Sequence, residues 1–120
     1  MSSSTDKILE TYERDGFVFP IDIVGEAEAG ELRADLEAGE RELEGEPEKL
    51  SLLLSYPIHL LPSFAKLIRH PKMLEATAKI LGPDLMVWGS HLFIKEANTE
   101  GFVSWHQDLT YWGQCQSKTA

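Results

Sequence analysis

The sequence predicts an α+β fold in which helices come first and strands come last. Apolar residues recur at helical spacing from residue 25 to about residue 44. Pro71 and the Gly82–Pro83 pair bracket a further helical pattern. From residue 84 the pattern changes to extended, β-rich segments. Because this sheet would begin so late in the chain, we expect it to be incomplete.

The helical region is predicted over about residues 5–82. A first helix places Ile8 and Tyr12 on one face, and Gly16 can end it in the left-handed conformation. The segment FVFPI is predicted to be extended, at an edge or at the end of a strand, because Pro20 has no N–H for a ladder. The second helix carries a stripe on a period of 3.6, formed by Ala29, Leu32, Leu36 and Leu43.

Proline and glycine divide the rest of the helical region into short elements. GEPEK is predicted to break the second helix, and the apolar stretch that follows predicts a packed turn and a short helix near residues 63–69. Pro71 suits the first turn of a last helix, which the Gly82–Pro83 pair ends. Leu74, Thr77, Ala78 and Leu81 share one face of it.

The strand region is predicted over about residues 84–113, and residues 1–120 are predicted to be a single domain. DLMVWGSHLFIKE is typical of one or two strands, with Gly89 as a possible bend. NTEG is a loop, and FVSWHQDLTYW is typical of a further strand that leads into a turn.

Composition excludes several classes of partner. The net charge is −9, which argues against nucleic acid and against anionic membranes. Ten of the 20 acidic residues lie between Glu26 and Glu48, a distribution that is most simply a solvated helix face. Cys115 stands alone, so no intrachain disulfide forms. Neither a signal peptide nor an apolar run that could span a bilayer is visible, and we expect a cytoplasmic protein.

The chemistry is concentrated in GFVSWHQDLTYWG. His106 and Asp108 are two residues apart, so in a strand they point to the same face and can reach one metal ion. One further histidine would complete the facial triad of non-haem Fe(II) oxygenases. The tripeptide alone is weak evidence, and a surface histidine near an aspartate is the competing interpretation.

Two segments, in the same order, resemble the phytanoyl-CoA dioxygenase family of Fe(II)/2-oxoglutarate-dependent oxygenases. SWHQDLTYW preceded by HLFIKE is similar to the family's metal-binding segment, and YERDGFVFPIDIVGEAEAGELRADLE is similar to its opening. The resemblance implies Fe(II) with 2-oxoglutarate as cosubstrate, and hydroxylation of a small molecule by molecular oxygen. It also implies that the strands are the first of a double-stranded β-helix, or jelly-roll, barrel.

The resemblance also implies roles for individual residues. His106 and Asp108 would bind the metal, and the carboxylate of Asp108 points to hydroxylation rather than halogenation. Lys95, His91 and Tyr111 would lie near the cosubstrate or substrate pocket. For each an alternative stays open: a lysine in solvent, a structural histidine and a core tyrosine. Trp105 and Gln107 would support the metal-binding strand from behind.

One departure from the family pattern limits the prediction of enzyme activity. The family places a distal histidine and a 2-oxoglutarate-binding arginine after the H-x-D, and LTYWGQCQSKTA contains neither. We expect the N-terminal part of a dioxygenase. The alternatives are a non-catalytic remnant that binds metal weakly at most, and an unrelated α+β binding module that carries the motif by chance.

Overall fold

Proline positions set the architecture of the helical half. The structure, a computed structural model, describes residues 4–106, with side chains from residue 7. Four of its six helices have proline in the first turn, where the missing N–H costs no hydrogen bond. The helices are α1 (Ser4–Asp15), α2 (Glu26–Glu42), α3 (Pro47–Ser55), α4 (Pro57–Leu60), α5 (Pro62–Leu67) and α6 (Pro71–Leu81).

The first, second and last helices confirm the predictions from spacing. Gly16 follows α1 with φ +79°, as predicted for a left-handed helix end. Gly82 follows α6 with φ +87°. The packed turn predicted between residue 51 and the short helix was wrong, because this stretch belongs to α3 and α4. Pro57 begins a helix there instead of interrupting one.

The helices pack around a small apolar centre. Leu53 on α3 is 4% exposed, and Pro57 at the start of α4 is fully buried. Gly39 allows α2 to come close to α3, since a Cβ there would lie 3.0 Å from Leu53 Cδ2 and 3.8 Å from Leu61 Cδ2. The helix α1 packs against α6, and α4 packs against both α3 and α5.

The predicted strand region contains no strand among residues 84–106, so the predicted α+β fold with the first strands of a jelly-roll barrel is wrong for the described part of the chain. A strand requires a ladder of backbone hydrogen bonds to a neighbour. The backbone here is irregular or extended, and one bond joins it to the helices, from Leu92 N to Leu54 O at 2.8 Å. The remainder of the predicted strand region lies outside the described residues.

The helices of the described part are also too short or too polar to cross a membrane. The longest of them, α2, carries acidic residues on most of its turns.

Candidate metal centre and ligand cleft

His106 is held by the backbone just before it. Its Nδ1 lies 2.7 Å from the carbonyl oxygen of Ser104, and the side chain is exposed. A carbonyl oxygen only accepts, so Nδ1 is the donor of this hydrogen bond. Metal-binding histidines commonly have this arrangement, in which a carbonyl fixes the tautomer and the ring orientation. His106 therefore fits the role of an iron ligand.

The second predicted ligand, Asp108, lies outside the described residues, as do Gln107 and Tyr111. The pairing of His106 with Asp108 stays a prediction. Within residues 4–106, no three side chains of histidine, cysteine, aspartate or glutamate come together in a way that could hold a metal ion.

Lys95 stabilises a turn in the structure. Its ammonium donates to Glu96 O at 2.7 Å, to Thr99 O at 2.8 Å and to Thr99 Oγ1 at 2.6 Å. The Thr99 hydroxyl in turn donates to Glu96 O at 3.0 Å. Asn98, inside the turn, has φ +58°, a conformation that asparagine tolerates better than most residues. An ammonium with three oxygen partners is already satisfied, so a carboxylate ligand would have to compete with them.

His91 lies in the wall of a cleft with a volume of about 570 Å³. Its ring centroid is 4.5 Å from that of Phe93, and the two planes are inclined by 51°. The cleft forms where the irregular segment meets α3 and α4, the contact that the Leu92–Leu54 backbone bond fixes. The structure therefore places His91 beside a space of ligand size.

The opposite wall of the cleft was missed by sequence reasoning. Tyr56 and His59 form it, with ring centroids 6.5 Å apart. His59 is exposed, as a surface residue would be, and His70 caps α6, where its Nδ1 accepts from Lys72 N at 3.2 Å. The one signal for this wall was Pro57, since a helix that begins there turns Tyr56 and His59 toward the same side.

Trp105 is fully exposed, and its predicted supporting role behind the metal-binding residues stays a prediction. Its neighbours Phe102 and Val103 are also exposed. Residues 101–106 thus present a mainly apolar surface around His106.

The family model for phytanoyl-CoA dioxygenase (PhyH) matches residues 12–119. This match spans α1 to the segment that contains His106 and Asp108, the greater part of the chain. The chain belongs to the phytanoyl-CoA dioxygenase family. The predicted membership is confirmed, and the interpretation as an unrelated binding module is wrong.

The chain is similar to curated proteins described as ectoine dioxygenases. The chain is 28% identical over 114 residues to an ectoine dioxygenase of Streptomyces avermitilis, and over 118 residues to an ectoine dioxygenase of Bordetella parapertussis. These matches cover 87% and 91% of this chain, and 38% of each relative. A third ectoine dioxygenase, from Streptomyces coelicolor, is also 28% identical, over 114 residues. No solved structure matches the chain.

Family membership supports a dioxygenase type of function for the motif. The chain spans 38% of the length of these relatives, and the match includes the H-x-D. In the described part of the chain, a hydrogen bond orients His106, the first residue of this motif.

Proposed function

We propose that this chain contributes His106 and Asp108 as two of three protein ligands of an Fe(II) centre, in a 2-oxoglutarate-dependent oxygenase that hydroxylates a C–H bond of a small molecule. Family membership supports the chemistry. The hydrogen bond between His106 Nδ1 and the Ser104 carbonyl carries the assignment, because a carbonyl partner on the other ring nitrogen fixes the ring orientation of many metal-binding histidines.

The residues of the chain have distinct tasks in this proposal. His106 and Asp108 hold the iron, which together with 2-oxoglutarate supplies the activation of molecular oxygen. The Ser104 carbonyl sets the ring plane of His106. With one further histidine, His106 and Asp108 would form the ligand set that suits a cosubstrate and oxygen beside the iron.

Turnover requires groups that residues 109–120 do not contain. The resemblance calls for a distal histidine and for an arginine that holds 2-oxoglutarate, and neither residue type follows Asp108 in this sequence. We therefore expect the 120-residue chain to bind Fe(II) and to release no succinate from 2-oxoglutarate. Catalytic succinate release by this chain alone would contradict the proposed ligand set.

A second candidate function is that of a non-catalytic family member with weak metal binding at most. The two candidates differ in affinity. In a catalytic site, the protein holds both ligands in position before the metal binds. In an inherited motif without that function, nothing requires Ser104 to orient His106.

An anaerobic Fe(II) titration by calorimetry tests the proposal. The His106→Ala and Asp108→Ala variants should each weaken binding by more than about tenfold, since loss of a group that merely orients a ligand already costs that much. His70→Asn is the matched control, because it removes an imidazole but keeps an acceptor for Lys72 N–H. Unchanged affinity in His106→Ala would place the metal elsewhere.

A further inference from the structure

The cleft between α4 and residues 88–93 is walled by rings. Tyr56 and His59 lie on the helical side, and Trp88, His91 and Phe93 lie on the other. Its volume of about 570 Å³ is in the range of small-molecule sites. Five rings around one cleft of this size are more than a helix–segment contact requires. The Phe93 side chain is 83% exposed, which is more than a ring that served only for packing would be.

Charge is absent from the cleft wall. Within the described part of the chain, no lysine, arginine, aspartate or glutamate lines it, although the whole sequence contains 31 such residues, 11 basic and 20 acidic. A carboxylate or an ammonium group that enters would lose water without gaining a charged partner. The wall therefore offers no ion-pair partner to an acid, an amine or a zwitterion.

The rings favour a flat ligand. Aromatic side chains attract other rings in offset-stacked or edge-to-face arrangements. His59 and His91 add directed hydrogen bonds, since a neutral imidazole has one donor and one acceptor. They also distinguish this cleft from an aromatic cage for organic cations, because such a cage needs ring faces and no hydrogen-bonding groups.

We propose that this cleft binds a neutral, planar aromatic molecule that carries a hydrogen-bonding N–H or O–H group. The identification of such a ligand as the substrate rests on the proposed function, whereas binding itself rests on the cleft alone. The relatives are described as ectoine dioxygenases. This chain takes a different class of ligand in its cleft.

The test uses indole, which is planar, neutral and has one N–H donor. Isotope-labelled chain is titrated in the presence of EDTA, and backbone amide NMR signals are followed. Indole should shift the signals of residues 55–59 and 88–93 at lower concentration than either indole-3-acetate or tetramethylammonium. The EDTA separates this result from the iron proposal, so either proposal can fail without the other.

Two matched variants locate the site. Phe93→Ala should weaken indole binding about two- to tenfold, the range expected for loss of one stacking partner. Phe102→Ala removes the same side chain from a position that is 86% exposed and outside the cleft, and it should leave binding unchanged. Both positions are exposed, so neither variant should unfold the chain. Equal losses in both variants, no shifts with indole, or a preference for tetramethylammonium would overturn the proposal.

Discussion

At the scale of single residues, short-range hydrogen bonds orient His106 and Lys95. The Ser104 carbonyl orients His106 from two residues away, and the turn after Lys95 folds around one ammonium group. The sequence pattern suggested His106 only weakly, and the family resemblance strengthened the assignment. Neither source could predict the partners of Lys95, because these depend on the positive φ of Asn98.

Lys95 provides the first test at this scale. Lys95→Met keeps the aliphatic stem but removes the ammonium that binds Glu96 O and both oxygens of Thr99. The turn should open more often, and backbone amides of residues 96–100 should exchange their hydrogens faster. The control is Lys66→Met, an exposed lysine on α5. Unchanged exchange in Lys95→Met would mean that the turn is stable without the ammonium.

At the scale of helices and segments, proline was the residue type that best indicated where helices begin. Only some of these helix starts were predicted. Pro71 predicted the start of α6 correctly, and α5 begins at Pro62, close to the short helix predicted near residues 63–69, whereas Pro57 was expected to lie in a packed turn. Each of them begins a helix. The residue before proline avoids helical backbone, so one helix ends where the next begins. The cleft depends on this detail, because α4 presents Tyr56 and His59 together.

Two glycines give a matched prediction about helix stability. Gly82 has φ +87° and ψ 177°, a region that is essentially restricted to glycine, and no atom would touch an added Cβ. Gly82→Ala should therefore lower the free energy of unfolding by about 1–3 kcal/mol through backbone strain alone. Gly30→Ala lies inside α2 with equal space around it, and should raise this free energy by about 0.5–1 kcal/mol. Urea denaturation measures both, and a stable Gly82→Ala variant would refute the assigned backbone conformation.

The pH dependence of α2 follows from one ion pair. The Arg33 guanidinium donates to Glu37 at 2.6 Å, and this hydrogen bond, with the attraction between the charges, lowers the pKa of Glu37 below its ordinary value. The unfolded chain therefore binds a proton at Glu37 more readily than the folded chain does. The pair's contribution to stability is present above the unfolded pKa, about 4.3, and is lost as the pH falls through the folded pKa.

Comparison with Arg33→Gln isolates this effect from the repulsion among the other acidic residues. Wild type should be more stable than Arg33→Gln near neutral pH, and the difference should shrink as the pH falls below about 4. It should be small and should decrease with added salt, since both side chains are exposed. Urea midpoints over this pH range test the prediction, and a difference that grows in acid would contradict it.

At the scale of the whole molecule, the chain exposes far more surface than a compact protein of its length. The accessible surface is 10444 Å², against about 6,500 Å² for a compact monomer of this size. The radius of gyration is 17.3 Å, where about 14 Å is usual for 120 residues. The predicted strands do not form in the described residues for a related reason. Their residue types suit a sheet, but a sheet needs neighbouring strands, and residues 84–106 pack against helices only through a few contacts.

Exposed apolar side chains on residues 84–106 predict measurable behaviour. Phe93, Phe102 and Trp105 are each more than 80% exposed. The chain should enhance the fluorescence of an apolar dye such as ANS and should self-associate as its concentration rises. Replacing Phe102 and Val103 with serine should reduce both effects, as measured by dye fluorescence and light scattering. A monodisperse chain without dye binding at high concentration would contradict this account of the surface.

Paramagnetic NMR can show whether iron binds at His106 and Asp108. Fe(II) added without oxygen should first broaden the backbone signals of residues 104–108, and His106→Ala should abolish this broadening. Signals near His59 and His91 should stay sharp. Broadening that begins among the ten acidic residues between Glu26 and Glu48, and that persists in His106→Ala, would show that the motif does not hold the metal in this chain.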